Sequence, residues 1–152
     1  MTNVPFGGDA SSPEPLRIAL EVEIPSDVRY IERVVEIVRS QCAAVALTPR
    51  HCALNIPVAL SEALSNAILY GNRQNPEKHV RVRASLDVEK LVLEVVDEGA
   101  GFDLERSTSD PTSRENLERE DGRGLFLMRQ LMDRVERFDD HGNVVRLTLR
   151  RA

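Results

Sequence analysis

Residues 59–67 read Ala-Leu-Ser-Glu-Ala-Leu-Ser-Asn-Ala, an apolar helical pattern that is interrupted by Glu62 and Asn66. Residues four apart on an α-helix project from the same face. An amide oxygen is a suitable ligand for Mg²⁺, which takes its remaining ligands from water and phosphate. A carboxylate one turn away could accept the proton of a hydroxyl that attacks a phosphoryl group. Taken alone, the pair is also typical of a solvated helix face without chemistry.

A second motif, Asp-Glu-Gly-Ala-Gly-Phe at residues 97–102, follows a mostly apolar run. That run predicts a buried strand with Asp97 at its tip. A carboxylate in this position can accept a hydrogen bond from an exocyclic amine such as the amino group of adenine. Gly99 and Gly101 allow positive φ angles and a close approach of the backbone to a ligand. The alternative is a plain turn without a ligand.

A third motif, Gly-Arg-Gly-Leu at residues 122–125, opens an amphipathic pattern that predicts a helix. Backbone N–H groups at the start of a helix form a natural anion site. Arg123 could add charge-assisted hydrogen bonds to phosphate. A plain glycine-rich helix start is the alternative for this motif alone. The three motifs together, in this order around one polar loop, predict a nucleotide site.

The remaining chain alternates between strand and helix patterns. Ser26 is predicted to cap the first helix, and Gly71 to end the second helix in the left-handed conformation. Pro57 is predicted to kink or restart that second helix. The predicted elements are a strand at residues 16–24, helices at 28–45 and 48–72, strands at 80–86 and 91–97, a helix from 124, and strands at 135–138 and 144–150.

These elements predict an α/β two-layer sandwich, in which a mixed, mostly antiparallel sheet carries three helices on one face. Residues 1–14 have little to bury and are predicted to form a flexible tail, and residues 15–152 one domain that carries the nucleotide site. Residues 103–121 are almost devoid of apolar side chains. A polar loop of this length in a compact domain is either disordered or a functional lid.

Composition argues against several classes of protein. The net charge of -5 and the pI of about 5.3 are unlike those of nucleic-acid-binding domains, which carry a basic face. No uninterrupted apolar run is long enough to cross a bilayer, and the N-terminus lacks the apolar core of a signal peptide. Cys42 and Cys52 have no metal-binding or redox spacing. We therefore expect a cytoplasmic protein with buried, reduced thiols and no membrane contact.

The three motifs resemble the nucleotide-binding boxes of the GHKL (Bergerat-fold) ATPase superfamily. Residues 62–66 resemble its N box, residues 97–102 its G1 box and residues 122–125 its G2 box, while residues 103–121 match its ATP lid. The resemblance spans about residues 16–150. Within the superfamily, the chain is most similar to the anti-sigma-factor serine kinases of the RsbW type. Those relatives bind Mg-ATP, phosphorylate a serine on a small antagonist protein and sequester a sigma factor in alternation with it.

This resemblance implies a role for each matching residue. Glu62 would be the catalytic base, Asn66 the Mg²⁺ ligand, and Asp97 the residue that binds adenine. Thr148 would assist near adenine, although its match is loose. The other implied nucleotide-binding residues are Gly99, Gly101 and Phe102 in the adenine pocket, and Gly122, Arg123, Gly124 and Leu125 at the phosphates.

Two positions depart from the family pattern. Pro57 interrupts the helix just upstream of the N box and could displace Glu62. Gly142-Asn143 stands where relatives often have Gly-Thr. Neither departure removes an implied ligand.

The leading hypothesis is an ATP-dependent protein-serine kinase that acts as an anti-sigma or partner-switching factor. The implied partners are an antagonist protein with a substrate serine and a sigma factor, and a homodimer is left open. A second hypothesis is a binding module that holds ATP and a partner without phosphotransfer. A third, the catalytic domain of a sensor histidine kinase, is disfavoured because His51, His79 and His141 are scattered without a phosphoacceptor helix.

Overall fold

The computed structural model describes residues 17–45, 47–99 and 124–151. The strands are β1 (Ile18–Pro25), β2 (His79–Leu86), β3 (Lys90–Asp97), β4 (Arg134–Asp139) and β5 (Asn143–Arg150). The helices are α1 (Ile31–Ala44), α2 (Ile56–Asn66) and α3, which is described over residues 124–131. A 3₁₀ turn, Val28–Tyr30, precedes α1. The predicted elements are thereby confirmed.

The five strands form one sheet in the order β1-β2-β3-β5-β4. Each described pair of neighbouring strands is antiparallel, so this part of the chain forms an antiparallel sheet rather than a mixed one. The helices cover one face, and the buried core lies between the two layers. The predicted α/β two-layer sandwich is confirmed. Its largest fully buried side chains include Ile56, Leu60, Leu64 and Ile68 from the helical layer, and Val80, Val82, Leu91, Leu93 and Leu147 from the sheet.

The opposite face of the sheet carries a row of alternating charges. Glu21, Arg83, Glu94, Arg146 and Glu136 are successive partners in the strand register. Arg146 Nε donates to Glu94 Oε2 at 2.8 Å, and this bond raises the pKa of the Arg146 guanidinium. Opposite charges across neighbouring strands stabilise a sheet modestly. This row of charges on the face away from the helices is therefore paired across neighbouring strands.

Residues 49–71 form one continuous helix, called the long helix below, with α2 as its centre. Thr48 caps it as predicted, since Thr48 Oγ1 accepts from His51 N–H at 3.1 Å. The turns His51–Asn55 and Ala67–Gly71 are widened to π geometry. Pro57 lacks the N–H that an α-turn would use, and the widened turn directly before it accommodates this loss without breaking the helix.

The His51–Gly71 stretch is long and apolar enough to span a membrane, with a mean hydropathy of 1.4 over its most apolar window. Half of that window is buried inside the fold. A core helix of a soluble protein meets the same criterion, so this property is weak evidence for a membrane span.

Two local predictions at element ends were wrong. The cap of the first helical turn is Asp27, whose carboxylate accepts from Arg29 N–H at 2.9 Å, whereas Ser26 is buried and donates to Lys78 C=O at 2.7 Å. Gly71 does not have a positive φ. The positive φ angles after the long helix belong instead to Arg73 and Gln74.

Candidate nucleotide site

Asp97 ends β3 on the side of the sheet that faces the helices. Its side chain is buried, and Oδ1 accepts from the Gly99 backbone N–H at 2.8 Å and from Asn143 Nδ2 at 3.0 Å. Burial raises the pKa of the Asp97 carboxyl above its ordinary value, while these two hydrogen bonds act in the opposite direction. A buried acceptor of this kind is suited to a ligand that donates hydrogen bonds.

The backbone comes unusually close to this carboxylate at two glycines. A Cβ on Gly71 would lie 2.2 Å from Asp97 Oδ2, and a Cβ on Gly99 would lie 2.0 Å from the Gly71 carbonyl oxygen. Both distances are too short for a real side chain. Gly71 and Gly99 are therefore required by close packing around Asp97, and Gly71 in particular by tertiary contact rather than by helix termination.

Asn72 holds the backbone next to Asp97 in place through three hydrogen bonds. Its Nδ2 donates to Ser26 Oγ at 2.7 Å and to His79 C=O at 2.9 Å, and its Oδ1 accepts from Glu98 N–H at 2.7 Å. The residue is 1% exposed. One amide thus joins the end of the long helix to the residue after β1, to β2 and to the turn after β3. This residue belongs to none of the three sequence motifs.

Glu62 and Asn66 lie together against the start of the described part of α3. A Cβ on Gly124 would lie 2.9 Å from Glu62 Oε1 and 3.2 Å from Asn66 Nδ2. Both side chains are half-buried. The structure therefore brings the first and third sequence motifs into contact, and Pro57 has not carried Glu62 away from them.

The long helix connects these residues to the Asp97 pocket. Glu62, Asn66 and Gly71 follow one another along it, and Gly71 contacts the Asp97 carboxylate. Its C-terminal half therefore contacts both the Asp97 carboxylate and the start of the described part of α3. An elongated ligand could place a hydrogen-bond donor at Asp97 and an anionic end near Gly124.

The remaining predicted residues fall into three groups. Leu125 is half-buried and packs against the core next to Gly124. Thr148 lies on the opposite face of the sheet, where it lines a depression of about 940 Å³ with Glu94 and Arg146. The structure does not bring Thr148 to Asp97. Outside the described residues lie Gly101, Phe102, Gly122, Arg123 and the polar loop at 103–121.

Asn143, rather than Thr148, lies next to Asp97. It is the direct partner of Asp97 in the β3–β5 register, and its amide donates to the carboxylate. Gly142 precedes it with a φ of 138°, and a Cβ there would lie 2.5 Å from the Asp97 carbonyl oxygen. The sequence carries an indication of this contact, because Gly142-Asn143 stands where relatives often have Gly-Thr.

The residues present fit the nucleotide and metal that the resemblance implies. The Asp97 carboxylate is a buried acceptor, and the backbone of two glycines lies directly against it. The Asn66 amide provides an oxygen donor of the kind that Mg²⁺ prefers, and the Glu62 carboxylate lies near it beside Gly124. This arrangement is consistent with a phosphate-bound divalent ion.

Comparison with known proteins agrees with the fold. The model of the histidine kinase-like ATPase domain family matches residues 24–149. The serine-protein kinase RsbW of Bacillus velezensis is 30% identical over 137 residues, which cover 85% of this chain and 83% of that protein. RsbW of Bacillus subtilis is 29% identical over 133 residues, covering 82% and 80%. The anti-sigma F factor of Clostridium beijerinckii is 29% identical over 99 residues, covering 64% and 68%.

The family match extends from the end of β1 into β5, so it includes the long helix, Asp97 and Asn143. It confirms the resemblance that the three motifs indicated. The chain belongs to the histidine kinase-like ATPase domain family, and its relatives include anti-sigma factors and RsbW serine-protein kinases.

Proposed function

We propose that this protein is an ATP-dependent protein-serine kinase that acts as an anti-sigma, partner-switching factor in the cytoplasm. The observation that carries the proposal is the convergence of Glu62 and Asn66 on Gly124, at one end of a site whose other end is Asp97. The names of the relatives, serine-protein kinase and anti-sigma factor, support the same function.

In this proposal, Asp97 binds the nucleobase. Its carboxylate accepts a hydrogen bond from the adenine amino group, in a pocket shaped by Gly99 and, outside the described residues, by Gly101 and Phe102. Oδ1 is already held by Gly99 and Asn143, so the carboxylate is oriented before a ligand arrives. Pre-organisation of this kind lowers the cost of binding.

The phosphates lie at the other end of the site. Gly124 and Leu125, with Gly122 and Arg123, hold them through backbone N–H groups and the guanidinium. Asn66 provides a protein ligand to Mg²⁺, which neutralises phosphate charge when bound. The nucleotide thereby extends along the C-terminal half of the long helix.

Glu62 acts as the general base. Its carboxylate accepts the proton of the substrate serine hydroxyl as the serine oxygen forms a bond to the γ-phosphorus. The bond between that phosphorus and the bridging oxygen of ADP breaks, and ADP leaves with the electron pair. The products are phosphoserine on the antagonist protein and ADP, and no residue of this chain becomes phosphorylated.

The experiment that tests this function uses the full chain with Mg²⁺ and ATP labelled at the γ-phosphate. Candidate antagonist proteins encoded near the gene are added one at a time, and labelled serines are identified by mass spectrometry. We expect one antagonist to become labelled on serine. A chain that binds ATP and an antagonist without transferring label would instead be the ATP-holding binding module.

A further inference from the structure

The described part of α3 runs antiparallel to the long helix and touches it at both ends. At one end, Gly124 lies against Glu62 and Asn66. At the other end, Asn55 Nδ2 donates to the Leu131 backbone C=O at 2.6 Å. Asn55 precedes Glu62 by seven residues and Asn66 by eleven, which are close to whole numbers of helical turns. The three side chains therefore form one polar stripe along the long helix, and α3 lies on it.

Asn55 is an unusual residue for its environment. It is 8% exposed, and within the described part of the chain no group donates to its Oδ1. Buried polar atoms almost always have a hydrogen-bond partner, so each exception calls for an explanation. A residue of similar size without polar atoms would avoid the unpaired oxygen. The bond to Leu131 is the one described hydrogen bond of this side chain.

The backbone around Asn55 is also specialised. It is the last residue of the widened turn His51–Asn55, and Ile56 N–H bonds back to His51 C=O across that turn. Single π turns within α-helices are rare and often occur at functional sites. The widened turn and Pro57 together fix where the Asn55 side chain leaves the long helix.

We propose that Asn55 is a positioning residue for phosphoryl transfer. Its amide holds the C-terminal end of α3 on the long helix, and α3 in turn places Gly124 against Glu62 and Asn66. Asn55 touches neither nucleotide nor substrate in this arrangement. The proposal rests on the function proposed above, because the step that it controls is transfer from a phosphate group near Gly124.

The first test compares wild type with Asn55→Leu, which is similar in size and lacks both the donor and the unpaired oxygen. We expect Asn55→Leu to keep the melting temperature of wild type or to exceed it. Its kcat for antagonist phosphorylation should fall about tenfold or more, while its Kd for adenosine, which has no phosphates, changes less than about twofold, because Asp97 is not affected. A kcat equal to that of wild type would overturn the proposal, as would a parallel loss of melting temperature, adenosine binding and kcat.

A second pair of variants guards against misfolding of Asn55→Leu. Gln and Met have similar lengths, but only Gln can donate to the Leu131 carbonyl. Asn55→Gln should therefore keep a higher kcat than Asn55→Met. Equal kcat values in this pair would contradict a role for the donated hydrogen bond.

Hydrogen exchange provides a readout that does not depend on activity. The Met132 N–H bonds to the Met128 C=O at 2.8 Å at the end of α3. In Asn55→Leu, we expect this amide to exchange about tenfold faster, while amides at the centre of α2 remain unchanged. If wild type transfers no phosphate, the proposed function is wrong, and this exchange rate still decides whether Asn55 holds α3. An unchanged rate at Met132 would show that it does not.

Discussion

Asn143 Nδ2 donates to Asp97 Oδ1 at 3.0 Å, and the two residues are direct partners on β5 and β3. The amide and the Gly99 N–H together occupy one oxygen of the carboxylate. Gly71 lies against the other oxygen, where a side chain would clash with it. The adenine end of the proposed site is thus built from three separate segments that orient one acid.

Asp97→Asn is expected to weaken ATP binding sharply. The amide can still accept from Gly99 and Asn143, but it cannot provide a charged acceptor to the nucleobase. A hydrogen bond to a charged group is worth about 1.5–3 kcal/mol, which corresponds to about one to two decades in affinity. Isothermal titration calorimetry with ATP measures this loss. Unchanged affinity would contradict the assignment of Asp97 to adenine.

The same variant should be more stable than wild type at neutral pH in the absence of nucleotide. Burial raises the pKa of Asp97 in the folded state from its ordinary value of 3.8. The folded protein therefore holds this proton to a higher pH than the unfolded chain does, and ionisation of Asp97 lowers the free energy of unfolding as pH rises above about 3.8.

Thermal melts of wild type and Asp97→Asn between pH 3 and pH 7 measure this effect. We expect the advantage of the variant to be present at pH 7 and to shrink towards pH 3, where Asp97 is protonated in both states. A variant that melts below wild type at pH 7 would show that the ionised carboxylate stabilises the fold.

Asn143→Ala should reduce ATP affinity by less than Asp97→Asn does. It removes one of the two hydrogen bonds that orient the carboxylate, a loss of about 0.5–1.5 kcal/mol or about two- to twelvefold in affinity. Asn143→Thr keeps a donor hydroxyl and is the matched control, so it should bind ATP more tightly than Asn143→Ala. If wild type and Asn143→Ala have equal ATP affinity, Asn143 does not contribute to the site.

Asn66→Ala should abolish the effect of Mg²⁺ on ATP binding. The variant lacks the amide oxygen beside Gly124, while the adenine pocket at Asp97 is unaffected. ATP affinity is measured by calorimetry with Mg²⁺ and with EDTA. Asn66→Asp keeps an oxygen ligand and should retain the dependence. If Mg²⁺ tightens ATP binding by Asn66→Ala as much as by wild type, Asn66 is not the metal ligand.

Local patterns in the sequence were sufficient for the layers of the fold and for the placement of Glu62, Asn66 and Asp97 on their elements. The four-residue spacing of Glu62 and Asn66 placed both on one helix face, and the apolar run before Asp97 placed that acid at a strand tip. Both predictions depend on periodicity, which is a property of neighbouring residues. The contact of Glu62 and Asn66 with Gly124 is indicated by the order of the three motifs, which is that of the GHKL superfamily. No single motif indicates it.

Asn72 and Asn143, which hold Asp97 and its neighbouring backbone in place, could not be predicted from periodicity. Asn72 bonds to Ser26, 46 residues earlier, and Asn143 bonds to Asp97, 46 residues earlier. Such contacts depend on strand order, which periodicity does not determine. Gly71 has the local signature of a helix end, whereas its true constraint is the Asp97 side chain. Pro57 predicts a kink or a restart of the helix, and the structure has a widened turn directly before it.

The central claim, that Glu62 is the base of a phosphoryl transfer, is tested most directly by Glu62→Gln. The amide keeps the size and hydrogen bonding of the side chain but cannot accept the serine proton. ATP affinity should be preserved or rise slightly, because a negative charge near the phosphates is removed. Transfer of labelled phosphate to the antagonist should fall by about two to four decades, the usual contribution of a general base.

The matched control is Glu32→Gln, which removes the same charge from an exposed position in the first turn of α1 and should transfer phosphate like wild type. Single-turnover rates for wild type and both variants, at saturating Mg-ATP and with the same antagonist, decide the matter. We predict that the rate of phosphate transfer falls in Glu62→Gln and is unchanged in Glu32→Gln. A Glu62→Gln rate equal to that of wild type would contradict it.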